Sequence, residues 1–167
     1  KTEDGREVAR KLASDADIVV ESFRPGVMAR FGLGYDHIKA MRDDVIYLSI
    51  TGFGQEGPYR DLPVTDSVIQ AFSGFMSINR DGAGSPQRIG MIAIDVMTGL
   101  YAYQAISSAL ISRLRFGGGA YIDCSLMQSA AAFQGAKMME YYLEDGAPQV
   151  LYVPVGTMKT ADSHINI

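Results

Sequence analysis

The chain has 167 residues, 47% apolar and 20% charged, enough for one ordinary core and too apolar for wholesale disorder. A net charge of −4, with 15 Lys and Arg against 19 Asp and Glu, leaves no basic footprint for nucleic acid. The single cysteine, Cys124, excludes an internal disulfide, and with a polar, charged opening stretch it fits a reducing, cytoplasmic setting.

Thr2 or Asp4 can cap a first helix running to about Ala13, with Val8, Ala9 and Leu12 as its expected inner face. The run Ile18-Val19-Val20-Glu21-Ser22 reads as a strand buried in a parallel sheet, and it ends in the turn Phe23-Arg24-Pro25-Gly26. Short helices over Val27–Phe31 and Tyr35–Met41 follow, and then a second buried strand, Val45–Ile50. Strand, helices, strand at this spacing predict a crossover unit in an α/β sheet.

Directly after the second strand comes Gly52-Phe53-Gly54-Gln55-Glu56-Gly57-Pro58-Tyr59. Its glycines let the backbone turn sharply and approach a ligand, but the spacing is neither a dinucleotide fingerprint nor a P-loop. In α/β sheets ligands bind beyond the carboxyl ends of strands, and both Ser22–Gly26 and Gly52–Pro58 are placed there. Thr65 or Asp66 can cap a helix over Ser67–Ser77, carrying Val68, Ile69, Phe72 and Phe75, and 79–87 is a polar loop.

Ile89–Ser112 holds one formal charge, Asp95, in an apolar field. Val96, Leu100, Tyr103, Ile106 and Leu110 recur every three or four residues, which predicts a largely buried helix. A central acid and several Ser and Thr argue against a membrane span of that length. Asp95 has two readings here: an N-cap, or a carboxylate kept ionised by the helix N-terminus in an apolar site and able to act as a nucleophile. Gly117-Gly118-Gly119 stops this helix, Ala120–Cys124 is a third strand, and a long helix is expected from about Ser125 or Met127 to Leu143, with Met127, Met138 and Met139 filling its core side. Cys124 reads as a small core residue, and Gly156–Ile167 as strand-like. His37 and His164 have no partner at metal-ligand spacing, so no metal site is expected. With no Gly-x-Ser-x-Gly elbow, Asp95 stands as the leading nucleophile candidate, and Asp66 is the next polar group of interest.

Taken in order, Glu21-Ser22-Phe23-Arg24-Pro25-Gly26, Thr51-Gly52-Phe53-Gly54-Gln55-Glu56-Gly57-Pro58, Asp95 opening an apolar helix, and Gly117–Gly119 before Tyr121-Ile122-Asp123-Cys124-Ser125-Leu126 resemble the family III CoA-transferases, the CaiB/BaiF type. This family includes formyl-CoA and carnitine CoA-transferases and an α-methylacyl-CoA racemase. The resemblance implies a Rossmann-like parallel sheet portion with long buried helices, a fragment of an interlocked two-domain fold. Residues 1–150 would belong to the large CoA-binding domain, and 151–167 would be a linker and the first strand of a second. It implies Asp95 as the nucleophile, passing through an aspartyl mixed anhydride and an aspartyl-CoA thioester. Ser22, Phe23, Arg24 and Arg30 are implied to contact CoA, with Ser22 and Phe23 near its adenine and pantetheine portion and Arg30 at its phosphates. Gly52, Phe53, Gly54 and Gln55 are implied as an oxyanion or substrate loop, and Thr65 and Asp66 as accessory residues.

The implied partners are an acyl-CoA, a carboxylic acid acceptor and a second copy in an interlocked homodimer, with CoA as substrate and no cofactor, no nucleic acid and no membrane. Two departures matter. Thr65 stands where the racemase branch carries a His, and Pro63 where some transferases carry a basic CoA contact. Thr has no group that titrates near neutral pH, which favours transfer over racemisation. The competing readings are an acyl-CoA racemase or isomerase of the same family, and a non-catalytic fragment.

Overall fold

In the computed structural model, which describes residues 2–146 and 156–167, the three apolar runs pair into one parallel sheet. In chain order the elements are α1 (Glu3–Asp15), β1 (Ile18–Glu21), α2 (Val27–Arg30), α3 (Tyr35–Met41), β2 (Ile46–Thr51), α4 (Asp66–Phe72), α5 (Phe75–Ile78), α6 (Ala93–Phe116), β3 (Ala120–Ser125) and α7 (Leu126–Phe133). The strand order is β1-β2-β3, with Ile18 opposite Ile46 and Ile46 opposite Ala120. The α/β class expected from the sequence is the one observed.

The central strand explains the layering. Along β2 and the residue before it, side chains alternate between faces. Val45 and Tyr47 pack with Ile38, Leu33, Tyr35 and Ala13 on one side. Leu48 and Ile50 pack with Ala102, Ile106, Ile122 and Cys124 on the other. Tyr47 is buried because its hydroxyl donates to the Leu33 carbonyl at 2.9 Å, so burial of the ring leaves no orphaned polar atom. A third cluster, Ile69, Phe75, Ile94 and Ala130, joins α4, α5, α6 and α7 beside the sheet. Cys124 is buried as expected, and burial pushes its thiol up.

Several packing expectations are corrected. Thr2 caps α1 by accepting from the Gly5 N–H, but Val8 and Leu12 are exposed and only Ala13 of that helix joins the core. The helix expected over Ser67–Ser77 is two, because Gly74 adopts a φ of 80° that a β-carbon would resist. On α6 the buried face is Ile94, Thr98 and Ala102, one step of four along the helix, whereas Val96, Leu100 and Tyr103 are exposed. Apolar residues encircle α6, so periodicity alone does not choose a face; the small Thr98 and Ala102 are what let it lie close against the sheet. The long helix expected up to Leu143 is also divided.

At the amino end of the sheet, Arg113 donates to the carbonyls of Asp17 and Asp44 and to the Asp17 carboxylate, at 3.0–3.3 Å. Arg42 reaches the Asp44 carboxylate at 2.9 Å and the Asp15 carbonyl at 3.0 Å. The Arg42 guanidinium holds the Asp44 carboxyl below the usual carboxylate range. These bonds tie α6 to the starts of β1 and β2. Replacing Arg113 with Met in the intact protein is expected to cost about 1–3 kcal/mol of stability, read by denaturant unfolding.

Residues 134–167 form a second compact unit. It holds α8 (Gly135–Leu143) and an antiparallel hairpin of β4 (Thr157–Lys159) and β5 (His164–Asn166). The terminal segment expected as strand-like is thus two strands, reversed at Thr160–Ser163. Met138 and Met139 on α8 are exposed rather than core-filling, while Met127 packs in the first unit's core. A domain boundary at 150 lies outside the described residues.

Candidate functional site

The carboxyl ends of β1, β2 and β3 open onto loops that their own polar side chains shape. At the end of β1 the buried Glu21 carboxylate accepts the Phe23 N–H at 2.8 Å, turning the chain so that Ser22, Phe23 and Arg24 stand outward. At the end of β2, Thr51 Oγ1 accepts the Gly54 N–H at 2.9 Å, Asp123 Oδ2 accepts the Gln55 N–H at 2.9 Å, and the Gly52 carbonyl accepts the Met127 N–H at 3.1 Å. The glycine loop is therefore fastened to β2, β3 and α7. At Gly52 a β-carbon would run into the Val64 side chain, so glycine is what lets the two ends of the loop touch.

Between these loops and α6 lies a cleft of about 460 Å³, lined among others by Ser22, Phe23, Arg24, Gly52, Arg60 and Asp95. The structure thus brings Asp95 together with three of the four residues matched to CoA contacts. Arg30 does not line this cleft; it is exposed, with Nη1 3.8 Å from where a β-carbon on Gly26 would stand. Arg24 and Arg60 also line a second cavity of about 460 Å³, with Glu21, Tyr47, Gln55 and Tyr121.

Of the glycine loop, only Gly52 lines the Asp95 cleft. Phe53 packs edge-on to Phe72 at 5.0 Å and against Tyr59 at 5.5 Å, bracing the loop from behind. The Gly54 and Gln55 N–H groups are already engaged inside the protein, so the oxyanion role expected of this loop does not fall to those two donors. Thr65 holds the N-cap position of α4, and its hydroxyl lies 3.2 Å from that of Ser67. Pro63 lines the cleft and offers no cation there.

Asp95 itself is the third residue of α6, with Ile92 at the cap position and no side-chain cap from it. The N-cap reading is therefore corrected. The helix is capped from a distance: Asp66 Oδ2 accepts the N–H of Ile94 at 2.7 Å and of Asp95 at 3.1 Å. Gln70, one turn along α4, donates to Asp66 Oδ1 at 2.6 Å. It also donates to the Met91 carbonyl at 3.2 Å and accepts the Ile89 N–H at 2.9 Å. Asp66 and Gln70 are both buried, so this polar set is satisfied internally.

The electrostatic expectation changes with it. Loss of water around Asp95, and then the neighbouring Asp66 charge, push its carboxyl above the ordinary carboxylate range rather than holding it down. Sequence reasoning singled out Asp66 and missed its work; Gln70 was missed altogether. Two polar residues four apart on a helix that is otherwise apolar inward were the signal available. Arg60 was missed because its loop has no periodicity to place it.

His37 and His164 are exposed, and among the described residues no group of His, Cys, Asp and Glu is arranged to hold a metal. Among those residues no helix is long and apolar enough to cross a membrane.

Residues 1–167 match the model of CoA-transferase family III. The chain is 38% identical over 148 residues to a succinate–glutarate CoA-transferase of Agrobacterium fabrum, covering 89% of this chain and 37% of that one. It is 36% identical over 167 residues to a human succinyl-CoA:glutarate CoA-transferase, covering 96% of this chain and 38% of that one. A solved structure of a CaiB/BaiF family protein from Brucella suis superposes with a TM-score of 0.88 at 37% identity, covering 98% of this chain and 45% of that one. The chain thus spans less than half the length of these relatives.

Proposed function

The chain belongs to CoA-transferase family III, and from that premise we propose that it carries the nucleophile and part of the CoA-binding surface of an acyl-CoA:carboxylate CoA-transferase. The observation that carries the reading is the cleft in which Asp95 meets Ser22, Phe23 and Arg24 at the carboxyl edge of the sheet.

In the proposed reaction an Asp95 oxygen attacks the thioester carbonyl carbon. A C–O bond forms, the C–S bond breaks, and CoA leaves as thiolate, with the acyl group held as a mixed anhydride. The thiolate then attacks the Asp95 carbonyl carbon, expelling the donor's carboxylate and leaving an aspartyl-CoA thioester. The acceptor carboxylate repeats the two steps in reverse order and departs as the new CoA ester, with Asp95 regenerated. No proton need move, which suits a cleft whose described lining holds no histidine or other neutral base beside Asp95. A carboxylate stripped of water is a stronger nucleophile than one in solution, and burial already raises Asp95.

The relatives named for succinate and glutarate point to dicarboxylic acids, and Arg24 and Arg60 supply cations for an anionic CoA ester in the same cleft. A second copy of the intact protein is the proposed partner. The racemase alternative gains nothing from the structure: Thr65 sits on Ser67, without a titratable group to serve as second base.

The test is trapping. Hydroxylamine added to the intact protein during turnover with an acyl-CoA is expected to convert the peptide carrying Asp95 to its hydroxamate, seen by mass spectrometry. Continued transfer with that peptide unmodified would overturn the assignment.

A further inference from the structure

We propose that Asp66 and Gln70 are positioning residues that keep the Asp95 side chain free to face the cleft. The inference rests on Asp95 being the nucleophile.

An Asp in the first turn of a helix has an internal use for its carboxylate, because the opening N–H groups have no partner within the helix. On α6 the backbone offers no side-chain cap at Ile92, so Asp95 would be drawn toward those donors. Asp66 pre-empts it. Its Oδ2 takes the N–H groups of Ile94 and Asp95, at 2.7 and 3.1 Å. Among the described residues the Asp95 carboxylate accepts no hydrogen bond, and it lines the cleft instead.

Gln70 fixes Asp66 in turn. It is fully buried, it donates to Asp66 Oδ1, and it clamps the Ile89 N–H and the Met91 carbonyl. The chain entering α6 is thereby pinned on α4 by side chains alone. Asp66 spends its charge on backbone donors, where hydrogen bonds to an anion are strong, and its residual field raises Asp95. A position that orients a nucleophile and withholds competing donors acts through geometry, and small displacements of such groups are felt in the chemical step.

The charged groups facing Asp95 are Asp66 from α4, Arg24 from the β1–α2 loop and Arg60 from the loop between β2 and α4. Only Asp66 repels the ionised form. The sign follows: removing the Asp66 charge lowers Asp95, so the acid limb of the rate profile, where Asp95 is protonated, moves to lower pH.

The experiment uses the intact protein. Asp66→Asn is expected to lower kcat by about tenfold or more with KM for the acyl-CoA within about threefold, and to shift the acid limb downward. A kcat within about threefold of the parent, a KM that rises as kcat falls, or an unmoved acid limb overturns the proposal. Gln70→Met leaves the Asp66 charge in place but removes its anchor, and is expected to lower kcat without moving the acid limb. If Asp66→Asn does not accumulate folded, Gln70→Met decides alone, an unchanged kcat sinking the proposal. Asp95→Asn separates the two readings. If it retains transfer, the nucleophile assignment fails; if it is inactive while Asp66→Asn and Gln70→Met match the parent, only the positioning role fails.

Discussion

Asp95→Asn in the intact protein is expected to reduce CoA transfer by about 10³-fold or more while leaving the fold as stable as before or more so. The first half follows because an amide cannot form and release the anhydride. The second follows from linkage. The Asp95 carboxyl lies above its unfolded value, first through lost hydration and then through Asp66. Its contribution to stability is therefore most favourable below the unfolded carboxylate range, and declines as pH rises through the raised value. At neutral pH the parent bears that cost and the Asn variant does not. Thermal melts at neutral and acidic pH check this: the variant's advantage should shrink on acidification. Loss of activity together with a lower melting temperature at neutral pH would mean that Asp95 is structural after all. Sites that hold a charge against its surroundings commonly trade stability for reactivity in this way.

Gly119→Ala has the largest expected effect on the fold. A β-carbon there would meet the Val45 carbonyl oxygen, with Asp44 C at 2.8 Å and Val45 N at 2.9 Å. These are backbone atoms of the two residues that lead into β2, which cannot rotate aside. The next residue, Ala120, donates its N–H to that same Val45 carbonyl at 3.0 Å, the bond that seats β3 on β2. The substitution is expected to cost about 3 kcal/mol or more, read as a fall in thermal midpoint of the intact protein. Gly118→Ala is a useful contrast, since a β-carbon there meets nothing within 4 Å and only its φ of 78° resists. A loss at Gly119 no larger than that at Gly118 would show that the strands shift apart readily enough to relieve the contact.

The sheet was legible because its signal is local. The runs expected as strands at 18–22, 45–50 and 120–124, each bounded by turn residues, lie within one residue of the observed strands, and Gly117–Gly119 marks the end of α6. Which side of a helix faces in was not legible for α6, since Val96 and Leu100 are as apolar as Ile94 and Ala102. Asp95 was found as the one charge in an apolar stretch, but its local role was misread. The cap on α6 comes from Asp66, nearly thirty residues earlier, and no window along the chain joins the two. Likewise the Gln55 N–H group looks free in sequence and is taken by Asp123 only once β2 and β3 are side by side. Roles fixed by a partner distant in sequence are those that sequence reasoning loses.

The register of the sheet also bears on how the chain reaches this state. Ile46 is shared between two pairings: with Ile18 earlier in the chain and with Ala120 much later. The loop closed by the second pairing is more than twice as long as the first, so its entropic penalty is larger and its formation slower. During synthesis β1 and β2 can associate with α3 while the strand that completes them is still unmade. For that interval one edge of β2 and the Leu48 face are open to water, and to other chains. The Asp95 cleft, which needs α6 seated on that face, is among the last features to form.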